Sequence, residues 1–403
     1  MNNSESLSKE FMFRAIELAK KGEGRTNPNP LVGAVIVKNG QIIGEGWHHA
    51  YGELHAERDA LKDCYQRGQN PEGATIYVTL EPCCHFGKQP PCTHALVESK
   101  IAHVVVGSRD PNPLVHGKGN AYLREHGVLV SEDFCREECD SLNPIFFHYI
   151  STKMPFVALK YAMTLDGKIA TKTGESKWIS GEKSREFVHV LRNRYAGILA
   201  GIGTVFSDDP MLNCRLTNEN GELTGRNPVR IICDSDLKIP LESKIVRTAK
   251  EIPTIVACVG LVREEAGEKS FQEKKAALEN AGVEVIELKG ENHRGLLARA
   301  KEMRLDNPKP QVNLYELMKI LGEKKIDSVL IEGGGTINFS ALESKIVNKI
   351  YAFVAPKIFG GAAKSPVGGE GVNLPKDAFG FKIKKVSQIG EDVLMELAGS
   401  TSL

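Results

Sequence analysis

No run of about eighteen apolar residues occurs in the 403-residue chain, so a membrane-spanning helix is not expected. The start, Met1-Asn2-Asn3-Ser4-Glu5-Ser6, has neither a basic flank nor an apolar core, so a secretory signal is not expected either. An excess of one charge is also lacking: 52 Lys and Arg face 51 Asp and Glu, for a net charge of +1. Binding a nucleic-acid strand calls for a basic stripe with aromatic platforms, and balanced charge with 6% aromatic residues disfavours it. Low-complexity tails are missing. Nine cysteines is an odd count in a chain long enough to need no covalent staples, and reduced thiols in a cytosol fit best. With 41% hydrophobic and 26% charged residues, the expectation is a cytoplasmic globular protein of two or three domains.

What is there instead is concentrated between His55 and Cys92. His55-Ala56-Glu57 is followed by Glu81-Pro82-Cys83-Cys84-His85-Phe86-Gly87-Lys88-Gln89-Pro90-Pro91-Cys92. One imidazole and two thiolates offer three ligands to a tetrahedral zinc, and a catalytic zinc keeps its fourth position for water. Glu57, two residues past the histidine, reads as a proton shuttle. Hydrolytic removal of an amino group from a ring needs a strong nucleophile at neutral pH and a proton for the departing ammonia. Lowering the pKa of bound water from about 15.7 to about 7 eases its deprotonation by about 12 kcal/mol. A positioned carboxylate adds about a hundred- to ten-thousand-fold, so the metal is the larger contribution. H-x-E with P-C-x-x-C marks zinc base deaminases; here Cys83 and Cys92 are nine positions apart instead of three. A closed structural zinc, with Cys84, His85 or His94 as fourth ligand, and a pair of cysteines buried for packing are the alternatives.

The wider spacing is itself a pattern. H-A-E with P-C-x-H-x-G-x-x-P-P-C resembles the deaminase half of the bifunctional riboflavin biosynthesis deaminase/reductase family, although Cys84 stands where that family usually has a small polar residue. Met163-Thr164-Leu165-Asp166-Gly167-Lys168-Ile169-Ala170, Gly174 to Ser180, Gly201-Ile202-Gly203-Thr204-Val205 and Asp208-Asp209-Pro210 resemble its reductase half, so the resemblance covers nearly the whole chain. It implies an α/β protein of two domains. A three-layer cytidine-deaminase-like domain over residues 1–152 precedes a dihydrofolate-reductase-like domain over 153–403.

The same resemblance implies zinc on His55, Cys83 and Cys92, with Glu57 as proton donor. It places Asn29, His48, His85 and Lys88 at the substrate of the first domain, and Lys160, Ser176, Arg192, Leu212, Arg215 and Glu332 at that of the second. Ala162, Trp178, Thr204, Asp208, Ser235, Gly334, Gly335, Thr336, Ile337, Asn338, Phe339 and Ser340 would line NADPH. The implied reactions are deamination of 2,5-diamino-6-ribosylamino-4(3H)-pyrimidinone 5′-phosphate, then reduction of the product's ribosyl group to ribityl with NADPH. The implied partner is this small phosphorylated pyrimidine, with no nucleic acid and no membrane, in a homo-oligomer.

Read from the residues alone, the chain supports part of this. Phe11 to Lys20 has helical apolar spacing, Leu31 to Val37 is a buried strand, and Asn39-Gly40 turns it into a partner strand over Gln41 to Trp47. His48 and His49 have ordinary surface histidines as their plainer reading. A helix from Leu54 carries His55 and Glu57 in its first turn, and Thr75 to Leu80 is a β-branched strand delivering Cys83. Pro91 suits the first turn of a helix through Leu96, placing Cys92 where a helix dipole favours thiolate. Strands follow at His103 to Gly107 and Val128 to Val130, with helices at Ala121 to His126 and Phe134 to Tyr149; alternation of the two predicts three layers.

Beyond a seam at Lys153-Met154-Pro155-Phe156, strands are predicted at Val157 to Ala162, Ala196 to Ala200, Arg230 to Asp234, Thr254 to Cys258 and Ile350 to Pro356, with Val393 to Leu397 as a final edge. A helix covers Ser184 to Tyr195. Residues from about Leu261 to Pro310 carry no chemical signal. Arg192 and Arg215 suit phosphate oxygens, or a surface salt bridge. Ser328 to Ser340 reads as a strand, a glycine turn and a helix N-terminus, which is either a cradle for a pyrophosphate or a tight turn with no ligand. It lacks the G-x-G-x-x-G and later acid of a standard dinucleotide fold. Two rivals stay open: a nucleic-acid base deaminase with an accessory domain, and a zinc module that binds without catalysis.

Overall fold

The computed structural model describes residues 7–86, 89–113, 115–260, 265–289 and 311–399. The chain divides into two compact units, Met1–Lys153 and Met154–Leu403.

The first unit runs α1 (Lys9–Lys20), β1 (Gly33–Lys38), β2 (Gln41–Trp47), α2 (Ala56–Gln66), β3 (Thr75–Leu80), α3 (Cys92–Glu98), β4 (His103–Ser108), α4 (Lys118–Glu125), β5 (Leu129–Ser131), α5 (Arg136–Asp140) and α6 (Pro144–Thr152). Its strands lie in the order β2-β1-β3-β4-β5; β1 is antiparallel to both neighbours, and β3, β4 and β5 are parallel. Because strand side chains alternate faces, Ala34 and Ile36 join one core with Ala56, Ala60 and Leu96, while Val35 and Val37 join another with Met12, Ala15 and Leu18. Both faces are covered, which gives three layers and explains the unbroken apolar run of β1. Gly46 sets the closeness of α2: a Cβ there would lie 2.2 Å from the Ala60 nitrogen.

The helix expected over Phe134 to Tyr149 is two. Pro144 has no N–H to continue a helix and opens α6 as its first residue, and Cys135 caps α5 at φ 53°. Cys139 is buried against the sheet, whereas Cys135 is only partly covered.

The second unit runs β6 (Phe156–Thr164), α7 (Glu182–Arg194), β7 (Gly197–Gly201), α8 (Ile202–Asp208), β8 (Val229–Cys233), α9 (Lys244–Arg247), β9 (Thr254–Gly260), α10 (Glu265–Asn280), β10 (Val283–Lys289), α11 (Leu314–Glu323), β11 (Ser328–Ile331), α12 (Gly335–Glu343), β12 (Val347–Ala355), a 3-10 turn at Pro375–Asp377, β13 (Phe381–Ile389) and β14 (Asp392–Gly399). The described strands form one sheet in the order β10-β9-β8-β7-β11-β6-β12-β14-β13, parallel from β10 to β12 and antiparallel beyond. Alternate residues again serve two cores: Leu199, Ile231 and Ile331 face one side, Ile198, Ala200 and Ile232 the other.

Val393 to Leu397 is therefore not the edge. β14 lies between β12 and β13, and β13 forms the border. β13 is mostly exposed, and its apolar-polar alternation over Phe381 to Lys384 is broken at Lys384-Lys385, where its register against β14 shifts, so its period-two signal is too short to mark a strand. The stretch read as uninformative contains α10 and β10; Val283 and Leu288 are buried there beside β9.

Candidate active sites

In the first unit the site lies beyond the carboxyl ends of the parallel strands β3 and β4. His55 caps α2 in extended backbone, which turns its ring off the helix end, while Glu57 lies in the first turn and is buried. β3 delivers Cys83, and Pro91 opens α3 at Cys92. The three ligand atoms, His55 Nδ1, Cys83 Sγ and Cys92 Sγ, all lie within 4.8 Å of one another. Each sulfur is 3.4 Å from Nδ1. Backbone N–H groups of Cys92 and Thr93 donate to the Cys83 sulfur and carbonyl at 3.4 and 3.2 Å, binding the halves of the motif together. Arg58, on α2, donates to the carbonyls of Pro90 and Pro91 at 3.1 and 2.9 Å.

The donor set fits zinc. Hydrogen bonding from Cys92, opposed by burial and helped by His55, pulls the Cys83 thiol down to about 4, and Cys83 with burial pushes Cys92 well above the ordinary thiol range. Two cysteine sulfurs and one imidazole nitrogen brought this close are the donor set that a tetrahedral zinc takes, and a bound dication favours the thiolate form of both. Among the described residues no other group of three such ligands converges. Cys84 and His85 stand outside the cluster, and His94 is stacked on Tyr122 at 4.9 Å. That removes the closed four-ligand alternative.

A cleft of about 270 Å³ opens beside the cluster, lined by Asn29, His48, His55, Glu57, Cys83 and His85 among others. Burial first, then the charge of Cys83, raises the Glu57 pKa. His85 brings a buried Nδ1 with no partner among the described residues. His49 is tied to Asp59 at 2.9 Å and stacked on Trp47, away from the cleft. Lys88 lies outside the described residues.

Several cleft residues escaped the sequence reading: Tyr51, Gln89, Asp110 and Asn112 also line it. Gln89 donates to the Gly52 carbonyl at 3.1 Å, and burial raises Asp110 to about 6. Glu81 accepts from the N–H groups of Gly117 and Gly119, both at 3.1 Å, and fixes the start of α4. Asp110 and Asn112 follow β4 directly, and the rule that ligands bind beyond the carboxyl ends of parallel strands would have pointed to them.

In the second unit a groove of about 1090 Å³ crosses the carboxyl ends of the parallel strands. Of the residues expected along a dinucleotide, Thr204, Asp208, Ser235, Gly334, Gly335, Thr336, Ile337 and Ser340 line it, with Ser176 and Glu332 from the substrate set. Ala162 and the exposed Trp178 do not. Asn338 and Phe339 do not either: the Asn338 amide donates to the Pro366 carbonyl at 2.7 Å, and Phe339 packs on Phe379. The groove fits a dinucleotide. The first N–H groups of α12 face it without helical partners, and a Cβ on Gly335 would press on the Ser365 oxygen and Gly368 nitrogen at 3.1 and 3.0 Å.

Behind the groove Arg192 holds Glu332 fork to fork at 2.7 and 2.9 Å and donates to the Asn213 carbonyl at 2.9 Å. The groove-lining set omits Lys160, Arg192, Leu212 and Arg215. Burial would raise Glu332, but Arg192, Lys160 and His189 outweigh it and hold the carboxyl at about 2. Burial lowers the Lys160 ammonium. Arg215 is exposed and donates to the Asn213 side chain, while Leu212 is buried in the core.

Residues 155–395 match the family model described as the RibD C-terminal domain, and residues 5–108 match the cytidine and deoxycytidylate deaminase zinc-binding region. The riboflavin biosynthesis protein RibD of Actinobacillus pleuropneumoniae is 49% identical over 388 residues, 96% of this chain and 94% of that one. That of Aquifex aeolicus is 41% identical, covering 96% and 98%. Among solved structures, a diaminohydroxyphosphoribosylaminopyrimidine deaminase/5-amino-6-(5-phosphoribosylamino)uracil reductase from Thermotoga maritima superposes with a TM-score of 0.79 at 39% identity, covering 97% of this chain and 98% of that one.

Proposed function

The chain belongs to the RibD family of riboflavin biosynthesis proteins, bifunctional enzymes that join a zinc-dependent deaminase to an NADPH-dependent reductase, and from this we infer what each unit does. Residues 1–152 carry the deaminase and 153–403 the reductase. The substrate is a small phosphorylated pyrimidine. The first unit deaminates 2,5-diamino-6-ribosylamino-4(3H)-pyrimidinone 5′-phosphate, and the second reduces the ribosyl group of the product to ribityl. No described helix is long and apolar enough to cross a membrane. We assign the enzyme to the cytoplasm as a homo-oligomer.

The observation that carries the deaminase reading is the meeting of His55 Nδ1 and two cysteine sulfurs at the wall of a cleft that also holds a buried carboxyl. Those three atoms hold the zinc, which when bound supplies Lewis-acid activation of water at neutral pH. Glu57 takes the proton released from the attacking water and returns it to the departing amino nitrogen. Its burial keeps the carboxyl's affinity for that proton high. Asn29, His48 and His85 hold the pyrimidine against it, and Lys88 meets its phosphate.

In the reductase, NADPH supplies the hydride. The N-terminus of α12, at Gly334, Gly335 and Thr336, takes its pyrophosphate; Thr204, Asp208 and Ser235 take the rest. Ser176 and Glu332 form the substrate side, with Arg192 and Lys160 acting on Glu332 from behind the groove. The Arg192–Glu332 fork keeps the carboxylate ionised and aimed.

The test gives the full chain the diaminopyrimidinone phosphate. Zinc-dependent ammonia release, followed by NADPH consumption, is expected. NADPH oxidation that proceeds equally without any pyrimidine would count against the reductase assignment.

A further inference from the structure

The strand order gives the second unit's groove a direction. β8, β7, β11 and β6 lie side by side, about 4.8 Å apart, so the ends of the groove beyond β8 and β6 are about 14 Å apart. Helix α12 follows β11 and opens between them. On its β6 side stand Ala170 and Ser176; on its β8 side stand Ser235, Asp236 and Lys238. Ser176, on the β6 side and placed above with the substrate, marks where the reacting sugar enters. A dinucleotide with its pyrophosphate on α12 and its nicotinamide toward Ser176 has its adenosine half on the β8 side.

We propose that Lys238 reads the 2′-phosphate of NADPH and so sets the enzyme's preference for the phosphorylated cofactor. This deepens the reductase reading above and rests on it. The turn that carries Lys238 is built to hold a position. Asp234 is buried, and its carboxylate accepts from the Ile239 N–H at 2.7 Å; the Ser235 carbonyl accepts from the Val259 N–H at 3.1 Å, tying the turn to β9; and Leu237 adopts φ 57° to close it.

At its rim the Lys238 ammonium pairs with the Asp236 carboxylate. An acid alone at this place would suit the diol of an unphosphorylated ribose and would repel a phosphate dianion. Lys238 cancels that repulsion and offers three donors. The groove's other lining lysine, Lys364, accepts through its carbonyl from the Ile169 N–H at 2.9 Å and so stands on the β6 side, away from the adenosine.

The test is an equilibrium titration of the full chain with 2′,5′-ADP and with 5′-ADP, which differ by the phosphate alone. Wild type is expected to bind 2′,5′-ADP more tightly, with the difference shrinking as salt is added. Lys238→Ala should weaken 2′,5′-ADP about tenfold, the effect of one charge-assisted hydrogen bond at a partly exposed site. It should leave 5′-ADP unchanged, and Lys238→Arg should restore the difference. A stability loss would weaken both ligands by the same factor, because only folded protein binds, so it cannot imitate a loss confined to 2′,5′-ADP. If Lys238→Ala weakens both ligands equally or neither, the proposal is overturned while the reductase reading stands. A wild type indifferent to the 2′-phosphate overturns both.

Discussion

Asn29 Nδ2 lies 3.1 Å from His48 Nε2, while the other ring nitrogen of His48 faces the Leu54 carbonyl at 2.9 Å. A carbonyl can only accept, so the Nδ1 proton is fixed on the Leu54 side and Nε2 must accept from the amide. Asn29 therefore turns its nitrogen to the histidine and keeps its oxygen as an acceptor for the cleft it lines. The two histidines of the pair His48-His49 are thereby separated in role, one buried beside the site and one bound to Asp59.

Asn29→Ala is expected to raise KM for the pyrimidine about tenfold, the worth of one buried hydrogen bond, with zinc content unchanged. His48→Ala should do nearly the same, because it frees the amide to rotate. Steady-state kinetics beside metal analysis check both. A loss of zinc in either variant would show that the pair supports the metal cluster instead.

Glu57→Gln keeps the shape of the side chain and removes its capacity to carry a proton. Ammonia release should fall about a hundred- to ten-thousand-fold, while bound zinc stays at one per chain. The same variant, given the deaminated product, should consume NADPH at the wild-type rate. Comparable deaminase activity in variant and wild type would remove Glu57 from its role.

Chelation separates the two activities in the unmodified enzyme. Stripping zinc should abolish ammonia release and leave NADPH-dependent reduction of the deaminated product intact, since the convergent ligand set lies entirely in the first unit. Adding zinc back should restore it. Cys83→Ser and Cys92→Ser should each hold less zinc by metal analysis, because hydroxyls are harder, weaker ligands for this ion.

The buried Arg192–Glu332 pair predicts an acid limb in the stability of the second unit. A carboxyl held at about 2, below its ordinary 4.5, contributes stability above pH 4.5 that is lost as pH falls from there toward 2. His189, desolvated and beside Arg192 and Arg215, is held at about 4, so what it contributes is lost between pH 6.5 and 4. Glu332→Gln leaves Arg192 without its counter-charge and should cost roughly 3–5 kcal/mol at pH 7. Denaturant titrations at pH 7 and pH 3 check the sign: the gap between wild type and variant should narrow at the lower pH.

β1 was readable because its apolar run is continuous, and β3 because β-branched residues fill it. α2 was readable for the same kind of reason, through its helical spacing. The metal cluster was readable because one histidine and two cysteines sit next to prolines that end a strand and begin a helix. β13 was not, because its alternation lasts only from Phe381 to Lys384 before the register shifts, and the break at Pro144 was hidden by the apolar residues of the helix it opens, from Ile145 onward. Asp110, Asn112 and Lys238 lie in loops among other polar residues, and nothing local distinguishes them from solvated ones.

The order of residues by itself determined which side chains are chemically able to grip a soft metal, and where the backbone must turn, since bond geometry and residue type act over a few positions. Only the folded chain decided that sulfurs nine residues apart meet one imidazole, that Asn29 answers to His48, and that Glu332 stays charged under Arg192. Those distances and fields come from segments far apart along the chain, and packing alone brings them to within a few ångströms.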